Sequence, residues 1–257
     1  MAKYFTRFWF DFVWAITTKE IKARYKRAFL GFLWIVLNPI LQMLVVGFIF
    51  QFFIQAKVDN YFHFLFAGLL PWNFFSYTVI KCTPLYLDER PLIQKAKFPR
   101  EALVLSIVLS NLFHFLISLL LLVVLSLFIS VLSLGKVFLL FIAIVLLVIF
   151  TTGLSFLLST LFVKYRDMKF IVQAVMPLWF YATPILYTRS LLPHWVSRLI
   201  LFNPTTIITE VFQYVFVDTP FDFNLLSMLP SAVIFFLVVI AGVFLFIKQS
   251  PYFDDWL

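Results

Sequence analysis

Aromatic side chains with polar tips interrupt several otherwise apolar stretches of this chain. They are Trp34, Trp72, Tyr77, Tyr181 and Tyr187, in a sequence that is 21% aromatic. Such rings combine an apolar face with a polar edge, so a row of them could stack on sugars without holding them tightly. Asn38, near Trp34, is assigned to the same predicted substrate pathway. The alternative is an ordinary aromatic belt at the membrane–water boundaries.

The residue patterns of nucleotide binding and catalysis are missing from the sequence. None of the six glycines has the spacing of a phosphate-binding P-loop, which needs two glycines five apart, then Lys and Ser or Thr. His114 and His63 lack the partners of a metal site or a catalytic triad. A lone His in a helix bundle is more often a hydrogen-bonded packing residue than a proton relay. We therefore predict a chain that is not an enzyme and carries no cofactor or metal.

The segment 83–101 is a polar interval between two apolar stretches. Its sequence, TPLYLDERPLIQKAKFPRE, holds three prolines and seven charged residues. A basic loop would not need three acidic residues as well, so the mixed charge favours a docking surface for a partner protein. The segment KYRDMK, 164–169, is a second, smaller contact point. The candidate contact residues are Asp88, Glu89, Arg90, Lys95, Phe98, Arg100, Glu101, Arg166 and Asp167.

Six stretches without Asp, Glu, Lys or Arg must position these residues. They are 28–56, 60–80, 102–135, 137–163, 170–188 and 223–247. About 20 apolar residues, rising about 1.5 Å each, cross a hydrocarbon core of about 30 Å. The stretches are apolar on every side, unlike the strands of a membrane β-barrel. They predict an all-α membrane protein with six transmembrane helices in one domain, 1–257, and the third helix is expected to end near residue 131.

The remaining charges predict how the helices are oriented. Lys and Arg favour the cytoplasmic side of short membrane loops. With six spans, 16 of the 20 basic residues fall on one side, in 1–27, 81–101, 164–169 and the tail. Both termini are then cytoplasmic. This bias accounts for the net charge of +8, so nucleic acid is not a predicted partner.

Two segments fit neither a span nor a simple loop. Within 1–27, apolar residues recur at helical spacing, which predicts an amphipathic helix in the membrane interface. The alternative is a helix packed on the protein's own core. Residues 199–217 are largely apolar but contain Asn203-Pro204 and Glu210. We predict a re-entrant pair of short helices before the last span, as a candidate lid, and the alternative is a seventh span.

Three segments, in order, resemble the membrane subunit of type-2 ABC exporters that export polysaccharides. The first segment is RYKR (24–27) with LGFLW (30–34) and Asn38-Pro39. The second segment runs from Gly68 through Pro71-Trp72 and Phe75 to Leu92-Ile93, Lys95 and FPRE (98–101). The third segment is FNP (202–204) with 205–210. With the N-terminal helix and six spans, the resemblance covers nearly the whole chain. It is strongest to O-antigen permeases, and teichoic-acid and capsule permeases share much of the pattern.

The resemblance implies a permease of the bacterial inner membrane, built as a homodimer with two copies of a separate cytoplasmic ATPase that binds ATP and Mg. The coupling helix would lie in 85–98 and the outer gate helices in 191–217. The substrate would be a glycan on undecaprenyl-pyrophosphate, entering from the cytoplasmic leaflet. The gate segment would include Lys22, Arg24, Tyr25, Lys26 and Arg27, whose cations suit pyrophosphate oxygens.

Other classes of function remain open at this point. A permease for a lipophilic drug or a lipid shares the fold and would have a sealed seam lined by Phe. An intramembrane transferase would need His114 close to Asp or Ser at a cavity. A pore that needs no energy would bind no ATPase.

Overall fold

The computed structural model describes residues 7–26, 29–53, 58, 60–95, 98–127, 133–222 and 224–253. Every regular element in these ranges is helical. The helices are α1 (Arg7–Tyr25), α2 (Trp34–Phe48), α3 (Tyr61–Cys82), α4 (Leu85–Asp88), α5 (Arg90–Lys95), α6 (Glu101–Ser126), α7 (Leu134–Lys164), α8 (Met168–Tyr181), α9 (His194–Leu199), α10 (Pro204–Val217) and α11 (Leu225–Gln249). A 3₁₀ turn, Gly31–Leu33, precedes α2, and a π turn, Ile49–Phe53, follows it.

Four helical segments are long and apolar enough to cross a membrane. They are Gly31–Phe52, Glu101–Ser126, Leu134–Lys164 and Leu225–Tyr252. The predicted all-α membrane architecture is thereby confirmed. The count of six spans stays a prediction, because α3 has sufficient length at 22 residues but a more polar sequence, and α8 has only 14 residues, about 21 Å.

Helix α3 is the central element of the bundle. Its side chains Phe64, Phe66 and Phe75 are almost completely buried in protein. Helix α6 packs antiparallel to it, with Thr78 bonded to Asn111 and the Phe74 ring 5.5 Å from that of Phe115. A helix surrounded by protein can carry Asn and Ser, because neighbouring helices offer hydrogen-bond partners that lipid cannot. The lower apolarity of α3 follows from this central position.

Helices α7 and α11 pack closely and run in the same direction. Phe150 lies 5.7 Å from Phe235, and Phe156 lies 4.7 Å from Phe246, measured between ring centroids. Gly153 and Gly242 bring the two backbones into contact between these pairs. Because the two long helices are parallel, the chain between them must return to the end of the bundle at which α7 begins.

The return is made by α8 and a bent pair of short helices. The segments His194–Phe202 and Pro204–Val217 meet at 105°. Asn203 forms the bend: its side chain accepts a hydrogen bond from Thr205 N at 3.1 Å, and Pro204 takes the first position of α10. The end of α10 reaches the start of α7, where Asp218 pairs with Lys136 at 2.5 Å. The 105° bend agrees with the predicted re-entrant pair, and the number of spans stays a prediction.

Helix α1 packs along α6 on one side and is exposed on the other. The buried Thr17 and Val13 meet Ser106, whose hydroxyl donates to Val13 O at 3.2 Å. Phe10 and Trp14 are exposed on the opposite side. One face of α1 thus contacts the protein core, as the alternative interpretation expects, and the location of the exposed aromatic face in the membrane interface stays a prediction.

Two ends of the bundle can now be distinguished. The basic end contains α1, α4, α5 and the loop 164–167, since Lys19 pairs with Glu89 at 3.6 Å and the Tyr86 ring lies 4.7 Å from Phe253 after α11. The opposite end contains α9, α10 and the starts of α7 and α11.

Candidate functional site

A cavity of about 250 Å³ lies where the end of α1 meets α2, α3 and α6. Polar groups from all four helices line it, although it is enclosed by apolar segments. The lining residues are Arg24, Tyr25, Trp34, Ile35, Asn38, Pro39, Leu70, Asn73, Phe74, Tyr77, Asn111, His114, Phe115 and Ser118. We call this the gate cavity.

Arg24 is fixed at the wall of the gate cavity by two side chains of α6. Its Nη2 donates to Asn111 Oδ1 at 2.8 Å, and its Nη1 lies 3.3 Å from His114 Nδ1. Because guanidinium has donors and no acceptor, this contact is a hydrogen bond when Nδ1 of His114 is the acceptor nitrogen. Asn111 Nδ2 in turn donates to Thr78 Oγ1 at 3.1 Å. His114 is therefore a hydrogen-bonded residue, as the sequence indicated.

The structure gathers some of the proposed pathway residues and separates others. Trp34, Asn38 and Tyr77 line the gate cavity together with Arg24 and Tyr25 of the gate segment. Lys22 and Lys26 are exposed nearby on the same segment, and Arg27 lies outside the described residues.

Three aromatic residues of the proposed pathway lie elsewhere. Trp72 is buried in the core between Phe75 and Phe180, at ring distances of 5.5 and 5.6 Å. Tyr181 is exposed at the end of α8, and Tyr187 donates its hydroxyl to the Tyr181 carbonyl at 2.7 Å. In this chain they do not share the cavity with Trp34.

Polar residues within the apolar stretches complete the gate cavity, and sequence reasoning missed them. Asn111, His114 and Ser118 stand at helical spacing on one face of α6, and Asn73 lies on α3 one turn before Tyr77, which the sequence had already indicated. Asn73 also donates to Gln42 on α2 at 2.8 Å. The signal was present, because amide and hydroxyl groups recurring three to four residues apart in a membrane helix indicate one polar face.

The segment 83–101 forms a compact pair of short helices at the basic end. Leu85, Tyr86 and Ile93 are buried and anchor it, and the Tyr86 hydroxyl donates to Arg100 O at 3.3 Å. Burial raises the pKa of Tyr86 well above its usual value, which keeps this hydroxyl a neutral donor. Asp88 and Arg90 are exposed to solvent. Because buried side chains anchor α4 and α5 to the bundle and charged side chains are exposed to solvent, the two helices can act as a rigid docking surface.

Other residues of the proposed docking set contact this chain itself. Glu89 pairs with Lys19, and Glu101 stands in the first turn of α6, where a carboxylate favours the positive helix end. The Phe98 ring stacks on Phe12 at 4.9 Å, and Arg100 lies over Phe253. Two of the three acidic residues in this segment thus have intramolecular roles that the sequence did not reveal.

The remaining docking candidates lie beside this surface. Arg166 packs over the Phe162 ring at 5.6 Å, and Asp167 is exposed just before α8. The side chain of Lys95 lies outside the described residues. The exposed loop 164–167 belongs to the same basic end as α4 and α5.

Comparison with known proteins points, over nearly the whole chain, to the same family as the sequence resemblance. Residues 11–217 match the family ABC-2 type transporter. A protein of Klebsiella pneumoniae named O-antigen export system permease protein RfbA is 32% identical over 257 residues, covering 99% of this chain and 98% of its own. A second K. pneumoniae protein of that name is 33% identical, covering 94% of both chains, and one from Myxococcus xanthus is 35% identical, covering 79% of both. The resemblance found in the sequence is confirmed: this chain is a membrane-embedded permease that belongs to the ABC-2 type transporter family.

Proposed function

We propose that the chain is the membrane permease of an ATP-driven exporter that moves a lipid-linked polysaccharide of the O-antigen type out of the cytoplasm. The observation that carries this proposal is the 32% identity to an O-antigen export permease over 99% of this chain. The gate segment, the docking surface and the re-entrant pair all fall inside the aligned region. The excess of basic residues at one end supports an inner-membrane location with cytoplasmic termini.

The gate cavity is proposed to receive the pyrophosphate end of the carrier. Asn111 and His114 use two of the five N–H donors of Arg24, and the Arg24 side chain is exposed, so it can still donate to phosphate oxygens. Exposed Lys22 and Lys26 add positive charge beside it. Trp34 and Tyr77 line the same cavity and offer ring faces to the first sugars.

The energy is proposed to come from two copies of a cytoplasmic ATPase, which hold ATP and Mg. They would dock on α4, α5 and the loop 164–167 of two copies of this chain. The docking surface is linked to the gate through α1, since Glu89 pairs with Lys19 and Lys81 pairs with Glu20, one turn before Arg24. A push on α4 and α5 would therefore displace α1 and, with it, Arg24 at the gate cavity.

The lining of the gate cavity favours a polar cargo over a lipophilic one. Three Asn residues, an Arg, a His and a Ser contribute to its wall, whereas a permease for a drug or a lipid would require an apolar seam. Teichoic-acid and capsule glycans have the same polar chemistry. They are the alternative cargo.

Export can be tested in cells that lack this chain. We expect them to lose surface polysaccharide and to accumulate lipid-linked glycan inside, measured by immunoblot of separated membranes. Wild-type protein should restore export, and Arg24→Glu should not, because a carboxylate repels pyrophosphate. Lys248→Glu, an equal charge change outside the cavity at the same end, serves as the control. Unchanged surface polysaccharide in the deletion strain would exclude the proposed function.

A further inference from the structure

A second cavity, of about 690 Å³, lies at the opposite end of the bundle. It is bounded by α9, by the middle of α10 and by the loop leading into α11. A volume of this size is within the range of small-molecule sites, about 300–1,000 Å³. Its distance from the gate segment along the chain and its place at the other end show that it is separate from the gate cavity.

The wall of this cavity contains a partly buried ion pair. Arg189 Nε lies 3.2 Å from Glu210 Oε1, and only 18% and 11% of the two side chains are exposed. Glu210 belongs to a helix whose neighbours Phe212 and Phe216 are fully buried. Burying a carboxylate at such a position costs solvation free energy unless it is paired. The pairing with Arg189 offsets this cost, so the Glu210 carboxylate stays at the cavity wall as a hydrogen-bond acceptor.

Several polar groups of the cavity are not used by the fold. Within the part of the chain that the structure describes, the side chains of His194 and Arg198 form no hydrogen bond or ion pair, and both line the cavity. Asp222 faces them from the other side. A hydrogen bond from Asn224 N lowers the pKa of Asp222, which keeps this exposed carboxylate charged.

The chemistry of the wall is that of a site for hydroxyl groups. It combines cationic donors, carboxylate acceptors and the hydroxyls of Ser197 and Ser227, with the Phe221 ring beside them. Sugar hydroxyls donate and accept at once, so they match a wall of mixed donors and acceptors. Two guanidinium and two carboxyl groups do not make the single-sign field that would select a phosphate.

We propose that this cavity is a saccharide-binding subsite, which holds one or two sugar units of the exported glycan as they leave the transporter. The identity of the ligand rests on the proposed function, whereas the existence of the cavity does not depend on that function. Because α9 and α10 form both the re-entrant pair and the cavity wall, a bound sugar would stabilise one position of this pair. The subsite would thereby couple the presence of glycan to the position of the lid.

The test uses the full chain in lipid nanodiscs and the polysaccharide released by mild acid from the cells that make the protein. This probe has no lipid or pyrophosphate, so the gate chemistry does not contribute. Saturation-transfer NMR should show sugar protons in contact with the protein. Ser197→Trp fills the cavity and should raise Kd at least tenfold. Leu199→Trp places the same ring on an exposed part of the same helix outside the cavity and should leave Kd within twofold.

A second variant guards against misfolding of the first. Arg198→Gln removes an exposed side chain that the fold does not use, and we expect a three- to tenfold higher Kd at an unchanged Tm. Absence of binding to wild type, equal Kd in Ser197→Trp and Leu199→Trp, or displacement of the sugar by inorganic phosphate would overturn the subsite. Surface polysaccharide in the deletion strain tests the exporter separately, so either proposal can fail while the other stands.

Discussion

The contact between Gly153 and Gly242 makes a sharp prediction about stability. These glycines let α7 and α11 touch backbone to backbone, as small residues do between membrane helices. A Cβ built on Gly242 would overlap the Gly153 carbonyl oxygen and lie 2.9 Å from its carbon and 3.3 Å from Leu157 N. All three are backbone atoms, which cannot rotate away as a side chain would. We therefore expect Gly242→Ala to force the two helices apart.

The size of the effect follows from two opposing terms. Overpacking a close contact costs about 1–3 kcal/mol, and replacing Gly by Ala inside a helix recovers up to about 1 kcal/mol of helix propensity. Because the overlap is with backbone atoms, the cost lies in the upper part of its range, about 2–3 kcal/mol, and the net loss is about 1–2 kcal/mol. Since 1 kcal/mol shifts Tm by about 2–4 °C in a chain of this size, Tm should fall by about 2–8 °C.

Gly135→Ala is the matched control, because it is the same substitution in the first turn of α7. A Cβ at Gly135 meets no atom within 4 Å. Its Tm should stay unchanged or rise by a few degrees, since only the propensity term remains. Both variants would be unfolded by heat in detergent and followed by intrinsic fluorescence. Equal Tm values for the two variants would refute the close packing of α7 and α11.

Three further predictions concern the elements around the two cavities. Asp88→Lys combined with Arg90→Glu reverses the exposed charges of the docking surface, and we expect at least tenfold less ATPase to co-purify with the permease. The control, Arg198→Glu at the opposite end of the bundle, should not alter the amount of ATPase that co-purifies. Asn203→Ala removes the α10 cap and the 2.8 Å hydrogen bond from Trp179 Nε1, so it should lower the free energy of unfolding by about 2 kcal/mol and Tm by about 4–8 °C. Asn224→Ala removes only the exposed α11 cap and, as the control, should lower the free energy of unfolding by about 1 kcal/mol. Lys136→Met removes the ion pair with Asp218, which is 58% exposed, so Tm should fall by less than about 4 °C while amide exchange at the end of α10 becomes faster. Unchanged exchange there would contradict a tether at Lys136.

The sequence predicted the fold well because lipid imposes a simple rule. Charge-free stretches long enough to cross a membrane predict helices, and α2, α6, α7 and α11 lie within or across such stretches. The re-entrant pair was also predictable, since Asn203-Pro204 and Glu210 interrupt an otherwise apolar segment. Helix α8 was harder to delimit, because 170–188 carries no charge to its end and only the structure shows that regular helix stops at Tyr181.

The site could be predicted only in part, because its residues come together through tertiary contacts. Trp34 and Trp72 look equivalent in the sequence, yet one lines the gate cavity and the other is buried in the core. Local spacing gives the face of one helix, whereas the direction of that face depends on how neighbouring helices pack. The bonds between Arg24, Asn111 and His114 join residues about 90 positions apart, and no sequence pattern in one chain encodes them.

The parallel course of α7 and α11 limits how the opposite end can open. The chain between them returns through α8 and the bent pair, in which α10 is packed into the core by Phe212, Val215 and Phe216. Two ion pairs add to this packing: Lys136 with Asp218 at the end of α10, and Arg189 with Glu210 at its middle. In the first pair the Asp218 side chain is 58% exposed, so the pair contributes at most about 1 kcal/mol. In the second pair both side chains are mostly buried, and breaking it leaves an unpaired charge. Opening at this end should therefore begin at Asp218 and stop at Phe216, which is fully buried, before the ion pair of Glu210 is reached.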